Sequence, residues 1–120
     1  MLTIRNEQMR LFSQEEVTKF EEGMIVHLRK FFPACRLASE TTLRELIRYG
    51  IERARSYQIT ARRDVCKYVD LMTVLGRDFD VDERIPWASE LLHSERGATR
   101  MPRLMNAVQR YLHKPGRASN

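Results

Sequence analysis

Residues 60–76 read TARRDVCKYVDLMTVLG, and this stretch decides the fold class. Its apolar residues recur at steps of three and four, which is the spacing of one face of an α-helix. These apolar residues are Val65, Tyr68, Val69, Met72 and Leu75. Thr60 can cap the start of the helix, and Gly76 can end it in the left-handed conformation common at helix C-termini. The stretch therefore predicts an amphipathic helix that packs its apolar face against other elements.

The residues upstream predict a first long helix. Ser13 followed by Glu16 has the spacing of a capping box, and apolar residues then recur at helical steps until Pro33. A short helical segment over residues 5–12 is predicted to precede it.

A second helix is predicted between these two. Thr42 and Glu45 also have capping-box spacing, and the apolar stripe that follows them ends near Tyr57. Gly50 lies on this stripe, although glycine has about 1 kcal/mol less helix propensity than alanine. A close helix crossing would explain a glycine at this position, and a tolerated glycine is the alternative.

The C-terminal third predicts two more helices. Pro86 suits the first turn of a short helix, and Thr99 can open a last helix that tolerates Pro102 in its first turn. No segment shows the alternation of a strand, and no internal repeat is found. The sequence therefore predicts an all-α protein, an irregular bundle of about five helices forming a single domain over residues 1–113, followed by a C-terminal tail at 114–120.

The composition fits a compact domain outside the membrane. The chain has 120 residues, of which 42% are hydrophobic, and no run approaches the roughly 18 apolar residues of a transmembrane helix. Its first residues lack the apolar stretch of a secretory signal. Cys35 and Cys66 fall in separate predicted elements without a CxxC motif, which favours reduced thiols. We expect a cytoplasmic protein.

The net charge of +5 comes from 21 basic and 16 acidic residues that are interspersed. Arg44, Arg48 and Arg55 share one face of the second helix, but acidic residues lie among them, which favours a solvated face over a phosphate-binding stripe. The basic residues freest of acids lie in residues 96–117. A nucleic-acid partner is not expected, and a small basic helical nucleic-acid-binding regulator is the alternative function.

The acidic segment after the third helix resembles the start of a calcium-binding loop. Asp78, Asp80 and Asp82 match its first three ligand positions, but Glu83 replaces the glycine of position six and Ser89 replaces the glutamate of position twelve. A calcium site is therefore not predicted.

No catalytic constellation is recognisable in the sequence. His27, His93 and His113 fall in three different predicted helices, and no ligand-spaced partner is apparent for any of them. His27 is interpreted as a boundary residue and Cys66 as a core thiol. We expect no enzymatic activity, no metal and no cofactor.

The candidate site is a protein-binding surface within residues 78–92. Its acidic loop places four carboxylates within six residues, and apolar side chains alternate with them or follow them. The predicted partner-binding residues are Asp78, Phe79, Asp80, Val81, Asp82, Glu83, Ile85 and Trp87. In the alternative, the four apolar side chains fold back onto the third and last helices.

Three stretches carry a resemblance to a known group of proteins. They are TIRNEQM at residues 3–9, ELIRYGIERARSY at 45–57 and RDVCKYVDLMTVLGRDFDVDERIPWASELL at 63–92. Together they resemble a family of small all-helical bacterial proteins encoded beside type VI secretion effector and spike genes. The resemblance implies a co-chaperone or adaptor whose partner is an effector chaperone or an effector. It implies no active-site residues, and the oligomeric state stays open.

Overall fold

The computed structural model describes residues 13–94 and 99–113 and confirms the all-α prediction. Its five α-helices are α1 (Gln14–Phe31), α2 (Glu40–Ser56), α3 (Arg62–Leu75), α4 (Pro86–Ser94) and α5 (Arg100–Leu112). Short 3-10 helices occupy Pro33–Arg36 and Phe79–Val81, and no β-strand occurs within these described ranges. The predicted segment at 5–12 and the predicted tail at 114–120 lie outside them.

The helices group into two compact units, which divide between Arg77 and Asp78. The first unit contains α1, α2 and α3, and the second contains α4 and α5. The sequence pattern did not indicate this division.

Helix α1 begins and ends as predicted. The backbone N–H of Glu16 donates to Ser13 Oγ at 3.1 Å, and the Ser13 N–H donates to Glu16 Oε1 at 3.3 Å, which completes the capping box. Pro33 disfavours helical backbone at the residue before it, and Phe32 is accordingly extended, with φ −127° and ψ 100°.

The starts of α2 and α3 differ from the prediction. Ser39 caps α2 by accepting the N–H of Thr42 at 3.1 Å, so the predicted capping role of Thr42 is wrong. Ser39 stands one turn earlier and has the same hydroxyl chemistry, so the helix gains its first turn there. Ala61 is the N-cap of α3, so the predicted cap Thr60 is also wrong. Gly76 does end α3 with a positive φ of 118°.

The core of the first unit forms around α2, which packs against both α1 and α3. Its most deeply buried side chains are Leu28, Leu43, Ile47, Val65, Tyr68 and Val69. Gly50 lies where α2 meets α3, and a Cβ added there would stand 2.8 Å from both Met72 Sδ and Val69 Cγ2. The close helix crossing is therefore the reason for this glycine.

In the second unit, α4 packs against α5 and against the 3-10 helix at Phe79–Val81. The buried apolar side chains are Phe79, Ile85, Ala88, Leu92, Met101, Leu104 and Val108. Pro86 is the first residue of α4, and Thr99 is the N-cap of α5, as predicted. Of the helices described, none has the length and apolar character needed to cross a membrane.

The two helical glycines of the first unit should respond to alanine in opposite directions. Gly50→Ala should lower the free energy of unfolding by about 1 kcal/mol or more, because the overpacking cost of about 1–3 kcal/mol exceeds the propensity gain. Gly23→Ala, in the exposed face of α1 with open space around it, should raise the free energy of unfolding by about 0.5–1 kcal/mol. Urea unfolding measures both, and a stabilising Gly50→Ala would refute the close crossing.

Candidate functional site

The structure separates the eight residues predicted to bind a partner into three groups. Three are buried, namely Phe79, Asp80 and Ile85. Three are exposed, namely Asp78, Val81 and Glu83. Two are half-buried, namely Asp82 and Trp87. Phe79, Asp80 and Ile85 are therefore not accessible to a partner in this conformation, and the partner-binding role of the other five residues stays a prediction.

The physical reason is the 3-10 helix at Phe79–Val81, where the sequence pattern predicted an acidic loop. A 3-10 helix has three residues per turn, so its successive side chains point in three directions. In an extended segment they would alternate between two. Phe79 and Asp80 consequently face the interior, and Val81 faces solvent. Only part of the predicted surface is therefore accessible in this conformation.

Another carboxylate of the acidic loop is paired locally. Arg84 donates from Nη2 to Asp82 Oδ2 at 2.9 Å and from its backbone N–H to Oδ1 at 2.9 Å. The hydrogen bond from the Arg84 guanidinium lowers the pKa of Asp82, and the smaller effect of the bond from its backbone N–H acts in the same direction. Trp87 packs against Tyr111 of α5, with 5.5 Å between ring centroids. The Asp82 carboxylate and the Trp87 ring are thus already engaged within the chain, and less of each is accessible to a partner than the sequence suggests.

A fully buried carboxylate joins α1 to α2. Glu21 accepts from Arg44 Nη1 at 2.9 Å and from Arg48 Nε at 2.6 Å. The hydrogen bond to Glu21 raises the pKa of Arg48. The arginine face of α2 was predicted to be solvated, and Arg48 and Arg55 are indeed exposed. In addition, Arg44 and Arg48 of this face satisfy the one buried anion, Glu21, which the sequence did not indicate.

A cleft of about 420 Å³ opens beside this ion pair. Val17 and Glu21 line it from α1, and Arg48, Ile51 and Arg55 line it from α2. The two arginines in its wall are already engaged, since Arg48 contacts Glu21 and Arg55 contacts a carboxylate of its own helix, that of Glu52, at 3.2 Å. The cleft therefore offers no unpaired cation for an anionic ligand.

The α1–α2 corner, which we define as residues 31–37, exposes two large apolar side chains. Phe31 is 58% exposed and Leu37 is 94% exposed. Arg36 holds the corner against the end of α1 by donating to the carbonyl oxygens of Arg29 at 2.7 Å and of Lys30 at 3.2 Å. The apolar side chains are thus presented by a hydrogen-bonded turn.

A further feature is a cluster of three chemically reactive side chains, His27 of α1 with Cys66 and Asp70 of α3. His27 Nε2 lies 2.9 Å from Asp70 Oδ1 and 3.1 Å from Oδ2. One donor atom from each of the three residues lies within 4.8 Å of the other two, and all three are half-buried. Among the residues that the structure describes, these three could together hold one metal ion.

The sequence pattern gives little sign of this cluster, because its members belong to two different helices. His27 was expected to have no ligand-spaced partner, and the structure corrects this by placing Asp70 and Cys66 beside it. Cys66 is also half-buried instead of in the core. The available signal was the four-residue step from Cys66 to Asp70, which puts a thiol and a carboxylate on one helix face.

The electrostatics of the cluster do not favour a thiolate. Burial raises the pKa of Cys66 to about 11, the Asp70 carboxylate acts in the same direction, and Lys67 opposes them. Burial also raises the pKa of Asp70, against the effect of His27. Because a thiolate is the nucleophilic form, the cluster as it stands is not arranged for cysteine catalysis.

Comparison with known proteins adds no assignment. No family model, no curated protein and no solved structure matches this chain.

The buried ion pair should contribute substantially to the stability of the first unit. Glu21→Gln should lower the free energy of unfolding by about 2 kcal/mol, because it removes the charge that receives both guanidinium groups. Glu52→Gln, which removes an exposed carboxylate from a comparable pair with Arg55, should change it by less than about 0.5 kcal/mol. Urea unfolding at neutral pH compares the two variants, and equal effects would contradict the structural role of Glu21.

Proposed function

We propose that this chain is a non-enzymatic, cytoplasmic protein-binding adaptor or co-chaperone that assists the loading or chaperoning of a type VI secretion effector. The observation that carries the binding role is the α1–α2 corner with its exposed Phe31 and Leu37. The secretion context rests on the resemblance of residues 3–9, 45–57 and 63–92 alone.

The corner is suited to a protein partner because burial of its exposed apolar side chains would be energetically favourable. Burying a Leu or Phe side chain fully is worth about 1.5–3 kcal/mol, and both side chains retain more than half of that area in water. Arg36 fixes the turn in advance, so little conformational freedom is left to lose on binding.

The charges around the corner indicate what such a partner would look like. The exposed Lys30 lies with Nζ 5.4 Å from the Phe31 ring centroid, and Arg36 is exposed on the same turn. A partner segment that combines apolar side chains with acidic residues would complement both features. We therefore propose an acidic amphipathic segment of the partner protein as the contact.

The absence of an enzymatic role is part of the proposal. Within the residues that the structure describes, the cluster at His27 resembles a catalytic triad, but burial raises the pKa of its thiol, Cys66, to about 11, which disfavours the nucleophilic thiolate. This supports a binding role over cysteine chemistry.

The proposal predicts that the corner determines partner affinity. The full chain is used to capture proteins from a lysate of the organism that encodes it, and the affinity of the captured partner is then measured for each variant. Phe31→Ser combined with Leu37→Ser should weaken binding by about 10-fold or more. The thermal midpoint should change little, because both side chains are already exposed.

Val26→Ser is the matched control, since Val26 is 68% exposed on α1 outside the corner and should leave affinity unchanged. Val81→Ser tests the remaining accessible part of the acidic loop. If that variant weakens binding and the corner variant does not, the interface is the surface at 78–92. A partner that is an effector, its chaperone or a spike protein supports the secretion context, and an unrelated partner refutes it.

The alternative function, a nucleic-acid-binding regulator, draws support from Arg103 and Arg110, which are exposed on α5. Under the adaptor proposal, duplex DNA at physiological salt should bind only in the nonspecific range, with a Kd of about 10⁻⁴ to 10⁻⁶ M. Mobility-shift assays measure this, and sequence-selective binding at nanomolar concentration would favour the regulator instead.

A further inference from the structure

We propose that His27, Cys66 and Asp70 form a binding site for a zinc-class divalent cation on the first unit. The inference is independent of the protein-binding role, because none of the three donor residues belongs to the α1–α2 corner.

The donor atoms are of the kinds that zinc accepts. Zinc in proteins is bound by thiolate sulfur, imidazole nitrogen and carboxylate oxygen, usually in four-coordinate geometry. The cluster provides one donor of each kind, and a thiolate ligand favours zinc over the hard cations calcium and magnesium. This composition selects the class of metal.

The distances are close to those of a formed site. With bonds of about 2.0–2.3 Å, the ligand atoms of a tetrahedral zinc site lie about 3.3–3.6 Å apart. His27 Nε2 and Asp70 Oδ1 are 2.9 Å apart, and no pair of donor atoms in the cluster exceeds 4.8 Å. Every pair of donors therefore lies within about 1.5 Å of the separation that a shared ion requires, a difference of the size that side-chain rotation covers.

The scaffold holds the donors in place. Cys66 and Asp70 are one turn apart on α3, and the imidazole of His27 is packed by two aromatic rings, those of Phe31 at 5.0 Å and Phe32 at 6.4 Å between centroids. Packing of this kind limits the orientations that the imidazole can adopt, which reduces the entropy lost on coordination.

An ion can also reach the site. The side chains of His27 and Asp70 are 29% and 23% exposed. Three protein ligands leave a fourth position for water or another donor, which distinguishes this site from a closed structural one.

The protons balance in a simple way. The cation forms bonds to Cys66 Sγ, His27 Nε2 and one oxygen of Asp70. The thiol proton of Cys66 leaves to solvent. His27 binds through the unprotonated Nε2 of a neutral imidazole whose ring proton is on Nδ1, and any proton on Nε2 is exchanged through solvent. No oxidation or reduction takes place.

The test uses the full chain, reduced and freed of metal, titrated with Co²⁺ as a spectroscopic substitute for zinc. One equivalent should produce a thiolate-to-cobalt charge-transfer band together with visible bands of four-coordinate cobalt, and Zn²⁺ should displace both. Cys66→Ser should abolish the charge-transfer band, while His27→Gln and Asp70→Asn should each weaken binding by at least about 10-fold.

Cys35→Ser and His93→Gln are the matched controls, because these residues lie outside the cluster, and both variants should keep the full spectrum. A second measurement needs no substitution. Zn²⁺ should slow alkylation of Cys66 in the unaltered chain, as followed by mass spectrometry of the peptide that contains it. A charge-transfer band that survives in Cys66→Ser, no band at millimolar Co²⁺, or alkylation of Cys66 that zinc does not slow would each overturn the site.

Discussion

The buried carboxylate of Glu21 is the constraint on which the arrangement of the first unit depends. A charge without solvent contact is tolerated only when it is paired and hydrogen-bonded, and both partners of Glu21 come from α2. Arg44 and Arg48 are one turn apart, so together they fix the position of α1 along α2 and its rotation about its own axis.

The contact between α2 and α3 completes this arrangement. Gly50 lets the two helices approach closely at Val69 and Met72, since a side chain there would collide with both. With α1 held on one side of α2 and α3 on the other, the C-terminal half of α1 also meets α3. As a result, His27 lies beside Asp70 and Cys66. The cluster therefore depends on two contacts that involve none of its own residues, the Glu21 ion pair between α1 and α2 and the Gly50 crossing between α2 and α3.

The two candidate surfaces differ in how many of their apolar and charged side chains are accessible to a partner. At residues 78–87, the 3-10 helix and the pair between Asp82 and Arg84 turn apolar and acidic groups inward or toward each other. At the α1–α2 corner, Pro33 ends the helix and Arg36 holds the turn, which leaves Leu37 outside. Because the side chain of Arg36 and the buried Cys35 hold this turn, Phe31 and Leu37 remain exposed and can contact a partner.

The sequence by itself determined the helical class, the positions of the helices and several of their ends, because apolar periodicity, the Ser13 cap, Pro33 and Gly76 act over a few neighbouring residues. It left two explanations for Gly50, a close helix crossing and a tolerated glycine, and the structure decided for the crossing. Only the tertiary structure decided which charges are buried and which distant side chains meet. Glu21 lies 23 residues from Arg44 and His27 lies 43 residues from Asp70. Such pairs depend on how helices dock, and the periodicity of a single helix contains no information about the identity of the residue that faces it.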